Sequence, residues 1–87
     1  MKIAVYDTHT KKKSGQSMHF DIMVPETVSH EKVLEYGKEY LKSIGQDGQP
    51  LGARECEFCH AEEASPQVTT SILSRGYHVH EMEGCHD

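Results

Sequence analysis

Seven groups that could bind metal or act as thiol chemistry crowd residues 56–87: Cys56, Cys59, His60, His78, His80, Cys85 and His86, with Glu62 and Glu63 among them. Thiolate and imidazole are the ligands of tetrahedral zinc, and a Cys-x-x-Cys pair is a common half-site. Cys56 and Cys59 form such a pair, which Cys85 and His60 would complete, with His80 or His86 as alternatives to His60. The candidate metal ligands are therefore Cys56, Cys59, His60 and Cys85, and zinc is the cofactor they suit. Two residues three apart hold one ion only where the backbone turns, because along a regular strand they point to opposite faces.

Other chemistries fit the same letters less well. Cys56-Glu57-Phe58-Cys59-His60 matches the Cys-x-x-Cys-His pattern of covalent haem attachment, but a chain of 87 residues with no export signal offers no evident haem-sized pocket. A thioredoxin-like redox pair belongs at the start of a helix directly after a strand, whereas six residues separate Cys59 from Pro66, the expected helix start. The plain alternative treats the cysteines as small core hydrophobes, Cys56 and Phe58 filling the interior and Cys85 an incidental thiol. His78 and His80 share a strand face, a geometry for a bidentate metal contact, for a pH-sensitive patch, or simply for the wetter side opposite Tyr77, Val79 and Glu81. His9, His19 and His30 are scattered over the first half and read as exposed. No Ser/His/Asp spacing, Walker motif or phosphate-cradling loop occurs; Gly45, Gly48 and Gly52 are irregularly spaced and open no helix. No catalytic residue is assigned.

The elements that must position these groups follow an order ββαβαβ. Residues 1–9 read as a strand, and residues 17–24 alternate Met18, Phe20, Ile22 and Val24 against His19, Asp21 and Met23. The polar segment Lys11-Lys12-Lys13-Ser14-Gly15-Gln16 between them is a solvated hairpin loop. Ser29 caps a helix over 30–44, whose Val33, Leu34, Gly37, Tyr40, Leu41 and Ile44 recur on one face. Gly37 in that stripe costs about 1 kcal/mol relative to Ala and suggests close approach to a sheet. Residues 46–52 form a loop and 53–59 a weaker third strand. Ser65-Pro66 opens a short helix closed by Gly76, and 77–82 form a last strand. If the last three elements make a strand, helix, strand crossover, its two strands run parallel. A four-stranded mixed sheet then carries two helices, and Cys59 and Cys85 meet at one edge within roughly 12 Å.

Composition sets the outer bounds. The 87 residues suffice for one α+β domain spanning 1–87 with a modest core, and 36% hydrophobic with 26% charged residues is ordinary for a folded chain. A net charge of −5, with Lys11–Lys13 the one basic run, argues against nucleic acid as a partner. No apolar run could span a bilayer, and Met1-Lys2 leads straight into Ile3-Ala4-Val5 without a signal-peptide core, so the expectation is a cytoplasmic protein without a membrane partner. Three cysteines, an odd number, argue for free thiols or metal ligands over a disulfide framework.

Met1–Thr8 (MKIAVYDT), Glu55–His60 (ECEFCH), and Gly76-Tyr77 leading to Met82-Glu83-Gly84-Cys85 resemble a family of small uncharacterised bacterial proteins known as a domain of unknown function. The resemblance spans nearly the whole chain. It implies a compact α+β fold and carries over no catalytic or binding residue. Two readings of function stand side by side: a non-catalytic binding or structural module, with a protein partner or a homodimer through a sheet edge or helix face, and a metal or reactive-thiol site in the C-terminal cluster.

Overall fold

The computed structural model describes residues 1–86. Its elements are β1 (Lys2–Lys11), β2 (Ser17–Pro25), α1 (His30–Ser43), β3 (Cys56–Glu63), α2 (Pro66–Arg75) and β4 (His78–Glu83), the expected ββαβαβ order of a small α+β domain. The turn between the first two strands closes through Lys12 N–H to the Gln16 carbonyl and Gly15 N–H to the Lys12 carbonyl. Within the expected solvated loop, Lys12 is buried. Strand alternation then places Ala4, Tyr6, Met18, Phe20, Ile22 and Val24 on one face and Ile3, Val5 and Met23 on the other.

Each helix is capped as its sequence dictates. The Ser29 hydroxyl accepts from Lys32 N–H at 3.2 Å and the Ser65 hydroxyl from Val68 N–H at 3.2 Å. The two helices cover opposite faces of the sheet. From α1, Val33, Gly37, Tyr40 and Leu41 pack over the Phe20 and Ile22 face. Gly37 there faces Leu51 and Ile22 Cδ1, so a Cβ would press on both, which is why glycine sits in the stripe. From α2, Val68 and Ile72 pack on Ile3 and Val5. The Tyr40 hydroxyl donates to Glu81, and His86 Nε2 lies 2.8 Å from the other Glu81 oxygen, tying α1 to β4 and the chain end.

Two expectations are corrected. The sheet runs β3-β1-β2-β4 with every pairing antiparallel, so it is not mixed, and β3 and β4 lie on opposite edges pointing in opposite directions. The parallel-crossover rule presumes two strands of like direction, and here each new strand instead adds beside a different member of the central hairpin. The third strand also begins later than expected. Residues 52–55 are consumed in a turn in which Glu55 and Cys56 N–H donate to the Gly52 carbonyl and the Glu55 carboxylate accepts from Gly52 N–H at 2.7 Å.

Both outer strands carry an extra residue. Tyr6 pairs with Phe58 and Val5 with His60, leaving Cys59 as a bulge, and Phe20 pairs with Glu81 while His19 pairs with Glu83, leaving Met82 as another. Interruptions of this kind disfavour pairing of the exposed edges with another chain.

After β4 the chain turns at Gly84, φ +70°, where a Cβ would run into the Ser17 carbonyl oxygen. The turn returns Cys85 to the core. Gly84→Ala should therefore lose about 2–3 kcal/mol in urea denaturation, combining left-handed strain with a backbone clash; a loss under about half a kcal/mol would show that the turn is freely adjustable.

Candidate functional site

The direction of α2 decides what the second face of the sheet can do. The helix leaves the end of β3 and delivers the start of β4, which lie on opposite edges, so it must cross the strands. Ten residues of helix are roughly 15 Å long, about the ~14 Å of three strand spacings. A helix only about 10 Å wide cannot cover strands roughly 30 Å long. It covers Ile3, Val5 and Met23 and leaves the rest of that face to polar residues.

Those residues lie in two rows fixed by register. Asp7 is paired with Glu57 on one side and Asp21 on the other, and Asp21 with His80. The next row pairs His9 with His19, and His19 with Glu83. The two imidazoles stack with ring centroids 3.9 Å apart and rings 16° from parallel. Both turn Nε2 toward one carboxylate, His19 at 2.5 Å from Asp7 Oδ1 and His9 at 3.1 Å from Asp7 Oδ2. Ligand atoms of Asp7, His9 and His19 all lie within 4.8 Å of one another. Of the three histidines expected to be scattered and exposed, His9 and His19 join a cluster with Asp7, the His19 side chain only 26% exposed, and His30 is half-buried with its Nε2 2.7 Å from the Cys56 carbonyl.

Electrostatics separate the two aspartates. Burial pushes the Asp7 carboxyl up, but hydrogen bonds from His19 and His9 together with their charges outweigh it and hold Asp7 below the usual carboxylate range. Asp21 goes the other way. Its burial, then the charge of Asp7 and a hydrogen bond with it, raise its carboxyl, and the charges of His19 and His80 offset only part of this. Beside them, His78 is held below the usual imidazole range by burial and by the charges of Arg75 and His80. Its Nδ1 lies 2.9 Å from the Ser71 hydroxyl of α2.

The sequence-expected ligands are placed quite differently. Cys56 is fully buried in the core under α1, its thiol pushed up by burial. Cys85 is buried in the same core near the other edge, its Sγ 3.6 Å from the His19 carbonyl. Cys59 and His60 are exposed on β3. Of the four, Cys59 and His60 are in contact, and Cys56 and Cys85 are buried apart from them. With two strands and a longitudinal offset between them, Cys59 and Cys85 are separated by on the order of 20 Å rather than 12 Å. Of the core-filling alternative, Cys56 conforms, whereas Phe58 is 58% exposed and meets Tyr6 edge-on at 5.8 Å between ring centroids.

A signal for Asp7, His9 and His19 does exist in the sequence: i, i+2 spacing on one strand and a hairpin that folds the second strand beside it. Finding it requires the turn boundary to one residue. Pairing Lys11 with Ser17 puts His9 opposite His19; starting the loop at Lys11 shifts the register by one and sends the imidazoles to opposite faces.

Comparison with known proteins agrees with this architecture. A family model described as "Domain of unknown function (DUF2024)" matches residues 1–82. The chain belongs to that family. Among solved structures, the NMR structure of protein NE1680 from Nitrosomonas europaea, a target of the Northeast Structural Genomics Consortium, is 42% identical. The alignment covers 98% of this chain and 99% of that one, with a TM-score of 0.86. No curated protein matches. The DUF2024 assignment bears out the expected family of uncharacterised proteins and brings no assigned activity with it. Among the described residues no helix is long and apolar enough to cross a membrane.

The raised Asp21 carboxyl gives a signed prediction for metal-free DUF2024 protein. An acid whose folded value lies above its unfolded one supports folding while protonated, and that support is lost as pH rises through the folded value. Asp21→Asn, measured by urea denaturation with chelator present, should stabilise the fold at neutral pH and make no gain below the ordinary carboxylate range. Destabilisation at neutral pH would mean that the Asp21 charge is compensated by its neighbours.

Proposed function

We propose that this DUF2024 domain is a non-catalytic binding module, and that what it binds is a first-row divalent metal ion, zinc foremost, through Asp7, His9 and His19. The observation that carries the reading is the convergence of both Nε2 atoms on one carboxylate within a 4.8 Å cluster. Zinc bonds of ~2.1 Å in a tetrahedron space the ligand atoms by roughly 3.4 Å, close to the contacts already present. An ion would replace the two imidazole N–H donors with little movement of the strands, which pair directly here.

Two imidazoles and a carboxylate suit zinc, iron(II), cobalt(II) or nickel(II) better than calcium or magnesium, which prefer oxygen. Three protein ligands leave at least one position open. Asp21, paired with Asp7 across the two strands, would be an outer partner able to orient it. Binding removes the imidazole protons, so affinity falls in acid. We assign the module to the cytoplasm without nucleic-acid or membrane partners, on the net charge of −5 and the apolar-run length.

The test is calorimetric titration of chelator-treated protein with zinc and cobalt(II), with cobalt absorption reporting coordination. One ion per chain is expected. His19→Ala and Asp7→Asn should each weaken binding by at least the roughly 10–100-fold typical of losing an outer-shell partner. Cys85→Ser and Cys59→Ser should leave binding unchanged; loss of zinc in the cysteine variants with retention in His19→Ala would return the site to the C-terminal thiols.

A further inference from the structure

The β3 bulge creates a second constellation, independent of the metal reading. In an unbroken strand Cys59 and His60 would point to opposite faces. The extra residue between the Tyr6–Phe58 and Val5–His60 pairs releases Cys59 from that alternation, and its Sγ lies 3.3 Å from His60 Nδ1. The other ring nitrogen of His60 is 2.6 Å from Glu62 Oε1, two residues further along the same face. A nucleophile, a base within hydrogen-bond reach and a carboxylate that orients the base are thus in line. A bulge that re-aims one side chain on an outer strand is a recurrent feature beside reactive groups.

We propose that Cys59, His60 and Glu62 form an activated-thiol site that takes up a low-molecular-weight disulfide as a mixed disulfide on Cys59. Glu62 accepts a hydrogen bond from His60 Nε2–H, which fixes the tautomer and turns the Nδ1 lone pair to the thiol. His60 removes the thiol proton. The Cys59 sulfur attacks one sulfur of the incoming disulfide in line with the bond, a new S–S bond forms as the old one breaks, and the departing thiolate takes the proton back from His60. One disulfide and one thiol go in, and one disulfide and one thiol come out, so no outside oxidant is consumed.

The acceptor class follows from the setting. Cys59 stands on an exposed strand edge, and exchange with a small disulfide needs only an open approach along the S–S axis. Cys56 and Cys85 are buried, so neither is presented as a resolving thiol. The adduct on Cys59 therefore persists until an external thiol removes it, as befits reversible capping and not an oxidoreductase cycle.

The test uses the full chain, reduced and kept with chelator, and two probes: dithiobis(nitrobenzoate), followed by absorbance, and glutathione disulfide, with the adduct located by mass spectrometry of proteolytic fragments. One fast-reacting thiol is expected, on Cys59, and Cys59→Ser should abolish it. His60→Asn and Glu62→Gln should slow the reaction at about pH 7 by roughly tenfold, because the base that takes the thiol proton is lost or no longer oriented. Above about pH 9, where hydroxide removes the proton, the variants and the parent should converge, which a merely structural role would not produce. Glu62 is half-exposed, so Glu62→Gln decides the matter should His60→Asn fail to fold. A Cys59 rate equal to that of a denatured chain, or one insensitive to both substitutions, would overturn the proposal, as would an adduct on Cys56 or Cys85.

Discussion

The structure depends on where the third and fourth strands can add to the central hairpin. β1 and β2 satisfy each other and leave two free edges, and β3 and β4 take one each. Nothing then remains at the edges of the hairpin, and the short helix between the outer strands has to span the whole width of the sheet. Its direction is imposed by connectivity and its footprint by the diameter of a helix. The apolar residues Ile3, Val5 and Met23 lie under it, and the polar residues Asp7, Asp21, His9 and His19 lie beyond it. The division of one sheet face into a packed half and an ionisable half is thus a consequence of topology.

That division also explains the electrostatics. Two aspartates paired directly across adjacent strands repel, a contact expected to be destabilising when both are ionised. The sequence answers with imidazoles in the next row, which donate to Asp7 and keep it ionised while Asp21 is pushed toward its neutral form. A divalent cation in the same place would relieve the repulsion more fully than the two imidazoles alone do. On the opposite face the demands are different. α1 seals an apolar interior, with Gly37 allowing close approach and the Tyr40–Glu81 hydrogen bond at its border.

Much of the fold was legible from residue patterns because its signals are local. Alternation in residues 17–24 marked the buried side of β2, Ser29 and Ser65 marked the helix starts, and Gly76 marked a helix end at φ 96°. The family resemblance, too, was visible in the sequence. What was not legible depends on long-range pairing. Nothing local says that β3 joins β1 while β4 joins β2, so the C-terminal cysteines and histidines, close in sequence, could not be known to fall on opposite edges. The Asp7, His9 and His19 cluster is built by a register that turns on one loop residue, and the Cys59–His60 contact by a bulge with no sequence mark of its own.

On the uncovered half of the sheet His9 and His19 both present Nε2 to Asp7, and the proposed metal site stands or falls with that convergence. Imidazole nitrogen NMR of the protein with and without one equivalent of zinc tests it most directly. With the chain's seven histidines resolved, His9 and His19 should carry their proton on Nε2 without metal. On adding zinc, these two should exchange that proton for a metal bond while His60, His78, His80 and His86 keep theirs. Metal-linked changes at His60 or His86 with none at His9 and His19 would show that the ion binds elsewhere.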